Sequence, residues 1–320
     1  MPAAGCSQGA ARSLRADRKH LRSDAVTEIE FVLARRQNAF FAELATILRD
    51  ELRALGVTAE ISPDGFSAPR PGLVHVLIPP HEYAALNGGE LPPEPLARTI
   101  FICAEPPASP WFEGNVRLAP RAGAIFDINA AAVETFRALG IDAHHLPLGY
   151  TRSWDRFEAS AERDIDVAFL GCATYRRSEV LAGHATALAR HRCELVISDN
   201  DSPNPATSAS FVAGEDKWGL LGRAKLLLNV HRSEFPPYFE WVRILEAIHC
   251  GAVVVSERSS HYAPLEPGRH FVSGAAQNLA TLAEELLADD DRRTEIQLAA
   301  HEFIRERLPL RDSAARLAAA

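Results

Sequence analysis

The chain has 320 residues, of which 47% are hydrophobic and 24% charged, and a formal net charge of −8. This length suits two domains of about 150 residues each better than one. The acidic balance speaks against nucleic acid as a partner, and no apolar run approaches the roughly 20 residues that span a bilayer, so the expected location is the cytoplasm.

Five cysteines, Cys6, Cys103, Cys172, Cys193 and Cys250, form no CxxC pair and read as reduced thiols. Residues 1–27 have no apolar period and read as a disordered tail.

From residue 28 the pattern becomes regular. A short buried strand is expected at 29–34. A helix follows at 38–55, with Phe41, Leu44, Leu48, Leu52 and Leu55 at helical spacing and Gly56 as its stop. A strand at 57–62 completes a β-α-β start, which implies parallel pairing. Further strands are expected at 73–78, stopped by Pro79 and Pro80, at 99–104, at 124–128 and at 143–148, with a helix at 130–139 ended by Gly140. Short apolar strands with helices between them indicate a doubly wound sheet.

The polar stretch 149–163 reads as a linker, and a second series begins after it. Strands are expected at 165–170, 194–198, 225–230, 252–256 and 270–272, and helices at 178–191, 215–224, 239–250, 279–287 and 292–307. Residues 203–213 read as a loop. The fold class is therefore α/β, with two Rossmann-like domains at 28–150 and 151–320 facing a cleft, and the last helix expected to pack back on the first domain.

The segment from Tyr238 to Ser256 carries the chemistry. It combines an amphipathic helix, Gly251 at its end and a buried strand. Glu240, Arg243 and Glu246 are spaced three apart and share one broad face. A helix N-terminus attracts phosphate, and a carboxylate two turns in can accept hydrogen bonds from a ribose diol. The plainer reading is a surface pair of Arg243 with Glu240 or Glu246.

The stretch from Arg243 to Val255 (RILEAIHCGAVVV) resembles the donor-site motif of GT-B glycosyltransferases, in the retaining class known as family 1 or 4. The resemblance covers roughly residues 164–272. It implies that Glu246 binds the ribose of a nucleotide sugar. It also implies that Gly171, Arg176 and Arg177, in the stretch FLGCATYRR, hold the diphosphate together with Arg243. Two positions depart from the family pattern: Tyr238 stands where many members carry a first glutamate, and Cys172 where an arginine is usual. Glu234 and Glu240 lie near Tyr238 and are possible substitutes for that glutamate. On this resemblance Glu246→Ala should weaken nucleotide binding far more than Glu234→Ala and leave the fold largely intact. The resemblance further implies retention of anomeric configuration and neither metal nor cofactor, the nucleotide-diphosphate sugar being substrate.

Ligands of open α/β sheets gather at the carboxyl ends of the strands. In the first domain those ends carry His81, in a Pro-rich turn, and Glu105, with Trp111 close behind. His81 is the expected group at the reacting sugar or acceptor hydroxyl, since a neutral imidazole accepts a proton near neutral pH. The acceptor itself is unidentified. Two other readings stay open: a binding module of this fold without turnover, and a metal-dependent GT-A-type transferase using Asp199 and Asp201.

Overall fold

A computed structural model of the chain describes residues 28–92, 96–107, 109–199, 203–205, 207, 211–233 and 238–320. The tail at 1–27, Asp201 and Glu234 lie outside these residues. The described chain divides into two compact units, one of residues 28–37, 41–146 and 311–320, the other of 38–40 and 147–310.

The first unit holds a six-stranded sheet in which every pairing is parallel. Its strands are β1 (Glu28–Val32), β2 (Thr58–Ser62), β3 (Leu73–Leu77), β4 (Thr99–Cys103), β5 (Ala124–Asp127) and β6 (His144–His145), in the order β2-β1-β3-β4-β5-β6. All residues of β3 and β4 are buried, which is why both read as unbroken apolar runs rather than alternating ones. Helix α1 (Ala39–Ala54) turns Phe41, Leu44, Leu48 and Leu52 inward, and Gly56 follows it with φ 83°, a left-handed conformation that glycine adopts without strain.

Two helices of this unit begin at prolines, at or shortly after the strand stops. Helix α2 (Pro80–Leu86) follows Pro79, and helix α3 (Pro110–Leu118) follows Ser109, whose side chain accepts from the Trp111 N–H. Proline suits the first helical turn, because the N–H it lacks there has no helical partner. Helix α4 (Ala130–Ala138) lies between β5 and β6.

The second unit holds a five-stranded parallel sheet of β7 (Ile165–Cys172), β8 (Cys193–Ser198), β9 (Ala224–Asn229), β10 (Val253–Glu257) and β11 (Val272–Gly274), in the order β11-β10-β9-β7-β8. Val167, Phe169, Leu226, Leu228, Val253 and Val255 form the centre of its core. Helix α5 (Tyr175–Gly183) begins earlier than its apolar period indicates, because the Thr174 hydroxyl caps it by accepting from the Arg177 N–H at 3.1 Å. A short α6 (Ala185–Leu188) follows, then α7 (Gly214–Arg223), α8 (Trp241–Cys250), α9 (Leu279–Ala288) and α10 (Asp290–Arg307). A final helix, α11 (Leu310–Ala318), was not expected from the sequence, and all of it beyond Leu310 belongs to the first unit. No helix among the described residues is long and apolar enough to cross a membrane.

Residues 149–163 contain neither helix nor strand, yet they are tied down within the second unit. The Tyr150 N–H donates to the Leu308 carbonyl and the Leu310 N–H to the Tyr150 carbonyl, both at 2.8 Å. The Arg156 N–H donates to the His249 carbonyl at 2.9 Å. The Arg163 guanidinium donates to the carbonyls of Gly222 at 2.7 Å, Ala224 at 3.2 Å and Cys250 at 2.8 Å.

Candidate functional site

Because every strand of the second sheet runs the same way, the ends of β7, β8, β9 and β10 share one edge, the edge where open α/β sheets place their ligands. Asn229 ends β9, and Glu257 ends β10. Glu240 is the N-cap of α8, but its carboxylate makes no capping bond. It turns instead to Asn229, whose Nδ2 donates to Oε2 at 2.6 Å, and to the His231 ring, whose Nδ1 lies 2.9 Å from the same oxygen. The Arg177 and Arg243 guanidiniums stand 3.6 Å and 3.7 Å from Oε1, which has no hydrogen-bond partner. Arg243 also donates to the Asn229 side-chain carbonyl at 2.9 Å, which fixes how that amide is turned. Burial alone would raise the Glu240 carboxyl, but the hydrogen bond and charge of His231, with Arg243 and Arg177, bring it below its ordinary value.

His231 is 2% exposed and is held from several sides. Its backbone N–H donates to Glu257 at 2.6 Å. Its ring Nε2 lies 3.1 Å from the Arg258 carbonyl and 3.1 Å from the Ser259 hydroxyl, which itself donates to the Glu257 carbonyl. Tyr238 stacks on the ring at 6.4 Å between centroids.

The two expected arginines of α5 are already engaged. Arg176 forms a two-pronged pair with Glu257, at 2.9 Å and 2.5 Å, and donates to the His231 carbonyl. Arg177 is 3% exposed and donates to the Val230 carbonyl, the Cys172 carbonyl and the Cys172 sulfur, at 2.9, 3.1 and 3.0 Å. Gly171 leaves room for this side chain, since a Cβ there would lie 3.2 Å from the Arg177 guanidinium and 2.9 Å from the Phe169 ring. Arg243, with a fifth of its side chain exposed, is about as accessible as Arg176 and far more so than Arg177, and it alone of the three lies in the first turn of α8.

Glu246 lies two turns into α8 and does not join this cluster. It accepts from the Lys217 ammonium of α7 at 2.6 Å, and both residues are buried. The expected common face of Glu240, Arg243 and Glu246 is thereby split. The first two meet each other, and the third pairs with a neighbouring helix. A carboxylate has about four acceptor positions, so a bond to Lys217 is compatible with one to a diol. Lys217 also lies over the Trp218 ring at 4.5 Å.

In the first unit, His81 and Glu105 do come together, at 3.9 Å between Nε2 and Oε1. His81 is in the first turn of α2 rather than in a turn between elements. Asn115 Oδ1 accepts from the His81 backbone N–H at 3.2 Å, so the ring Nδ1, also 3.2 Å away, must donate to it and Nε2 carries the lone pair. Burial pushes the His81 pKa down to about 4, with only partial compensation from Asn115. The ring is therefore neutral at pH 7, as expected, but far less basic than the sequence indicates. Trp111, half exposed, stacks on it at 5.9 Å, and Ser109 donates to Glu105 at 2.7 Å. Burial likewise pushes the Asp127 carboxyl at the end of β5 well up, although the Asn129 N–H donates to it at 2.7 Å.

Asp199 follows β8, and among the described residues no three His, Cys, Asp or Glu side chains are grouped as metal ligands would be.

Residues 176–319 match the family model described as glycosyl transferase-like. Over 92% of this chain and 98% of the other, the fold is similar to that of Anabaena HepE in complex with UDP and glucose, with a TM-score of 0.62 and 14% identity. The WaaG glycosyltransferase involved in lipopolysaccharide biosynthesis is similar over 91% and 98%, with a TM-score of 0.58 and 14% identity. The fold is that of the GT-B glycosyltransferases, and the second unit carries the match to the family model. A sucrose-phosphate synthase from Thermosynechococcus elongatus shares the fold over 91% and 97%, with a TM-score of 0.59 and 11% identity. No protein of curated function matches the chain in sequence.

The GT-B fold overturns the GT-A-type alternative, which needs a different architecture. Residues beside α8 were overlooked in the sequence. Asn229, His231 and Glu257 sit at or just beyond strand ends, so the carboxyl-edge rule applied to the second series would have found them. Lys217 had no such signal, because a lysine in an amphipathic helix ordinarily faces water.

Proposed function

We propose that this GT-B chain transfers a sugar from a nucleotide-diphosphate sugar to an acceptor hydroxyl, without a metal and with retention of configuration. The observation that carries this reading is the charge balance at the start of α8. Among the described residues, Arg176, Arg177 and Arg243 face only two carboxylates, Glu240 and Glu257, which leaves a positive excess even before His231 is counted. A bridging diphosphate carries two negative charges. The N–H groups of the first turn of α8 receive no bond from the Glu240 side chain, and those beyond Trp241, whose N–H donates to the Phe239 carbonyl, add donors of the right polarity.

In this reading Arg243 and the α8 N-terminus hold the diphosphate directly. Arg176 and Arg177 act mainly through the field they add and the groups they fix. Glu246 accepts from the ribose hydroxyls while Lys217 holds it in place. Cations and amides set in advance stabilise the charge that develops on the leaving diphosphate. The edge with His81, Glu105 and Trp111 is the acceptor side. There Nε2 of the neutral His81 accepts a hydrogen bond from a sugar or acceptor hydroxyl and orients it. A ring with a pKa of about 4 does not serve as a strong base.

The UDP and UDP-glucose complexes of the similar Anabaena protein support testing uridine donors first. The test is a thermal-shift screen against nucleoside diphosphates and their sugars, because a ligand that binds only the folded state raises the melting temperature according to its affinity. No shift with any of them would overturn the reading. Tyr238 and Cys172, at the two departures from the family pattern, favour a second reading, a binding module without turnover. Binding without hydrolysis or transfer of any labelled UDP-, GDP- or dTDP-sugar would select it.

A further inference from the structure

We infer that His231 is a positioning residue of the donor site, an imidazolium that draws the Glu240 carboxylate off the α8 N-terminus and supplies part of the positive excess that a diphosphate requires. This inference rests on the nucleotide-sugar reading above and names a residue that the reading does not otherwise require.

The hydrogen-bond pattern sets the charge of the ring. Nδ1 faces the Glu240 carboxylate, which already takes a bond from Asn229 on the same oxygen. Nε2 faces the Arg258 carbonyl, which can only accept. The Ser259 hydroxyl spends its proton on the Glu257 carbonyl, so it too is an acceptor towards Nε2. Both ring nitrogens are surrounded by acceptors, and only the imidazolium donates from both. Burial opposes this charge, but the hydrogen bond and charge of Glu240, with Glu257 and the Arg258 carbonyl, outweigh it and raise the ring above its ordinary value.

The geometry then connects the ring to the site. A glutamate at an N-cap ordinarily competes for the helix N–H groups. Here His231 and Asn229 draw it to the other side, and the α8 N-terminus stays open to an outside anion. If the ring loses its proton, Glu240 loses its nearest cation and the positive excess falls from two charges to one. The other charged groups around the ring are Glu240 and Arg243 from α8, Glu257 from the end of β10, and Arg176 and Arg177 from α5, with the Tyr238 phenol stacked on it. The arginines keep their charge throughout the useful pH range.

The experiment measures UDP-glucose, GDP-mannose and dTDP-glucose affinity of the full chain by calorimetry between pH 6 and pH 9, for the wild type and His231→Gln. The diphosphate of a nucleotide sugar has no ionisation in this range, and the base N–H groups, which begin to ionise at its alkaline end, do so equally for both proteins, so the difference between the two profiles belongs to the ring. The wild type should bind about tenfold more tightly at pH 6 than at pH 9. His231→Gln should show a flat profile near the wild-type alkaline value. A variant that follows the wild-type profile, or a wild type with no pH dependence, overturns the inference while leaving the donor reading intact. If none of the three binds the wild type at either pH, the donor reading falls, and this role with it. Long-range proton–nitrogen NMR of the ring gives a second check that needs no nucleotide. Two protonated nitrogens are expected at pH 7, and a single neutral tautomer overturns the assignment. Circular dichroism on His231→Gln confirms that the comparison is between folded proteins.

Discussion

Lys217 and Glu246 form an ion pair of 2.6 Å with a tenth or less of either side chain exposed. Placing a charge there without this partner is costly, and that changes how the ribose assignment must be tested. Glu246→Ala removes the carboxylate from a buried ammonium and should destabilise the protein by about 3–5 kcal/mol in chemical denaturation. The double variant Glu246→Ala, Lys217→Met should recover much of that loss. Equal, additive losses would show that the pair contributes nothing. Nucleotide affinity is better read from Glu246→Gln, which keeps a hydrogen-bonding side chain. A fall of about tenfold or more is expected, since bonds to a charged acceptor are worth roughly 1.5–3 kcal/mol each.

Arg243 is the accessible cation at the start of α8, and Arg243→Gln should raise the dissociation constant for a nucleotide sugar by about tenfold. The variant should also weaken the dependence of binding on salt, because one fewer charge is screened. Isothermal titration at two ionic strengths reads both effects. An unchanged constant would place the diphosphate elsewhere.

Two buried histidines set the acid side of the stability curve. His249 accepts from the Thr151 N–H on Nε2 and donates to the Leu245 carbonyl from Nδ1, so the neutral ring is held by both nitrogens. Burial lowers its pKa to about 4, as it does for His81. Each ring takes up its proton more readily in the unfolded chain. Stability is therefore full above pH 6.5 and declines as the pH falls towards 4, by about 3 kcal/mol per ring at most. Denaturant melts at pH 7, 5.5 and 4.5 should show this decline, with a shallower slope for His249→Gln. Stability that rises on acidification through this range would contradict the assignment.

Gly251 is fixed by two independent demands. Its φ is 77°, and a Cβ there would come within 2.4 Å of the Arg163 guanidinium and 2.9 Å of the Gln297 amide. Gly251→Ala should cost more than the roughly 1–2 kcal/mol of left-handed strain alone, because Arg163 must also move off its three carbonyls. A melting temperature within a degree or two of the wild type would show that the segment yields easily.

The sheets were legible because a parallel strand buried on both faces leaves an unbroken apolar run, as 73–77 and 99–103 do. Helices α2 and α3 were missed for the reason that located the strands. Pro79 and Pro80 end one apolar run and Pro106 and Pro107 another, and helices begin at Pro80 and, three residues beyond Pro107, at Pro110. For the proposed site, the sequence singled out α8 and Glu246 within it, but spacing along one helix cannot show what stands opposite. Lys217 approaches from α7, and Asn229 and His231 from the end of β9. The basicity of His81 was overstated for a similar reason. A lone histidine after a strand carries no mark of the Phe41, Asn115 and Trp111 groups that enclose it.

The stretch 149–163 has the composition of a tether but the bonding of a clasp. Arg163 joins the ends of α7 and α8 to the start of β9 through three carbonyls, while Tyr150 and Arg156 fasten the same stretch to the residue after α10 and to His249. Trypsin attacks backbone that can leave its bonds and extend into the protease. Arg156 and Arg163 should therefore resist nicking in the native protein, and a cut beside Arg163 should loosen α7 and α8, whose residues Lys217 and Glu246 meet at the proposed ribose position.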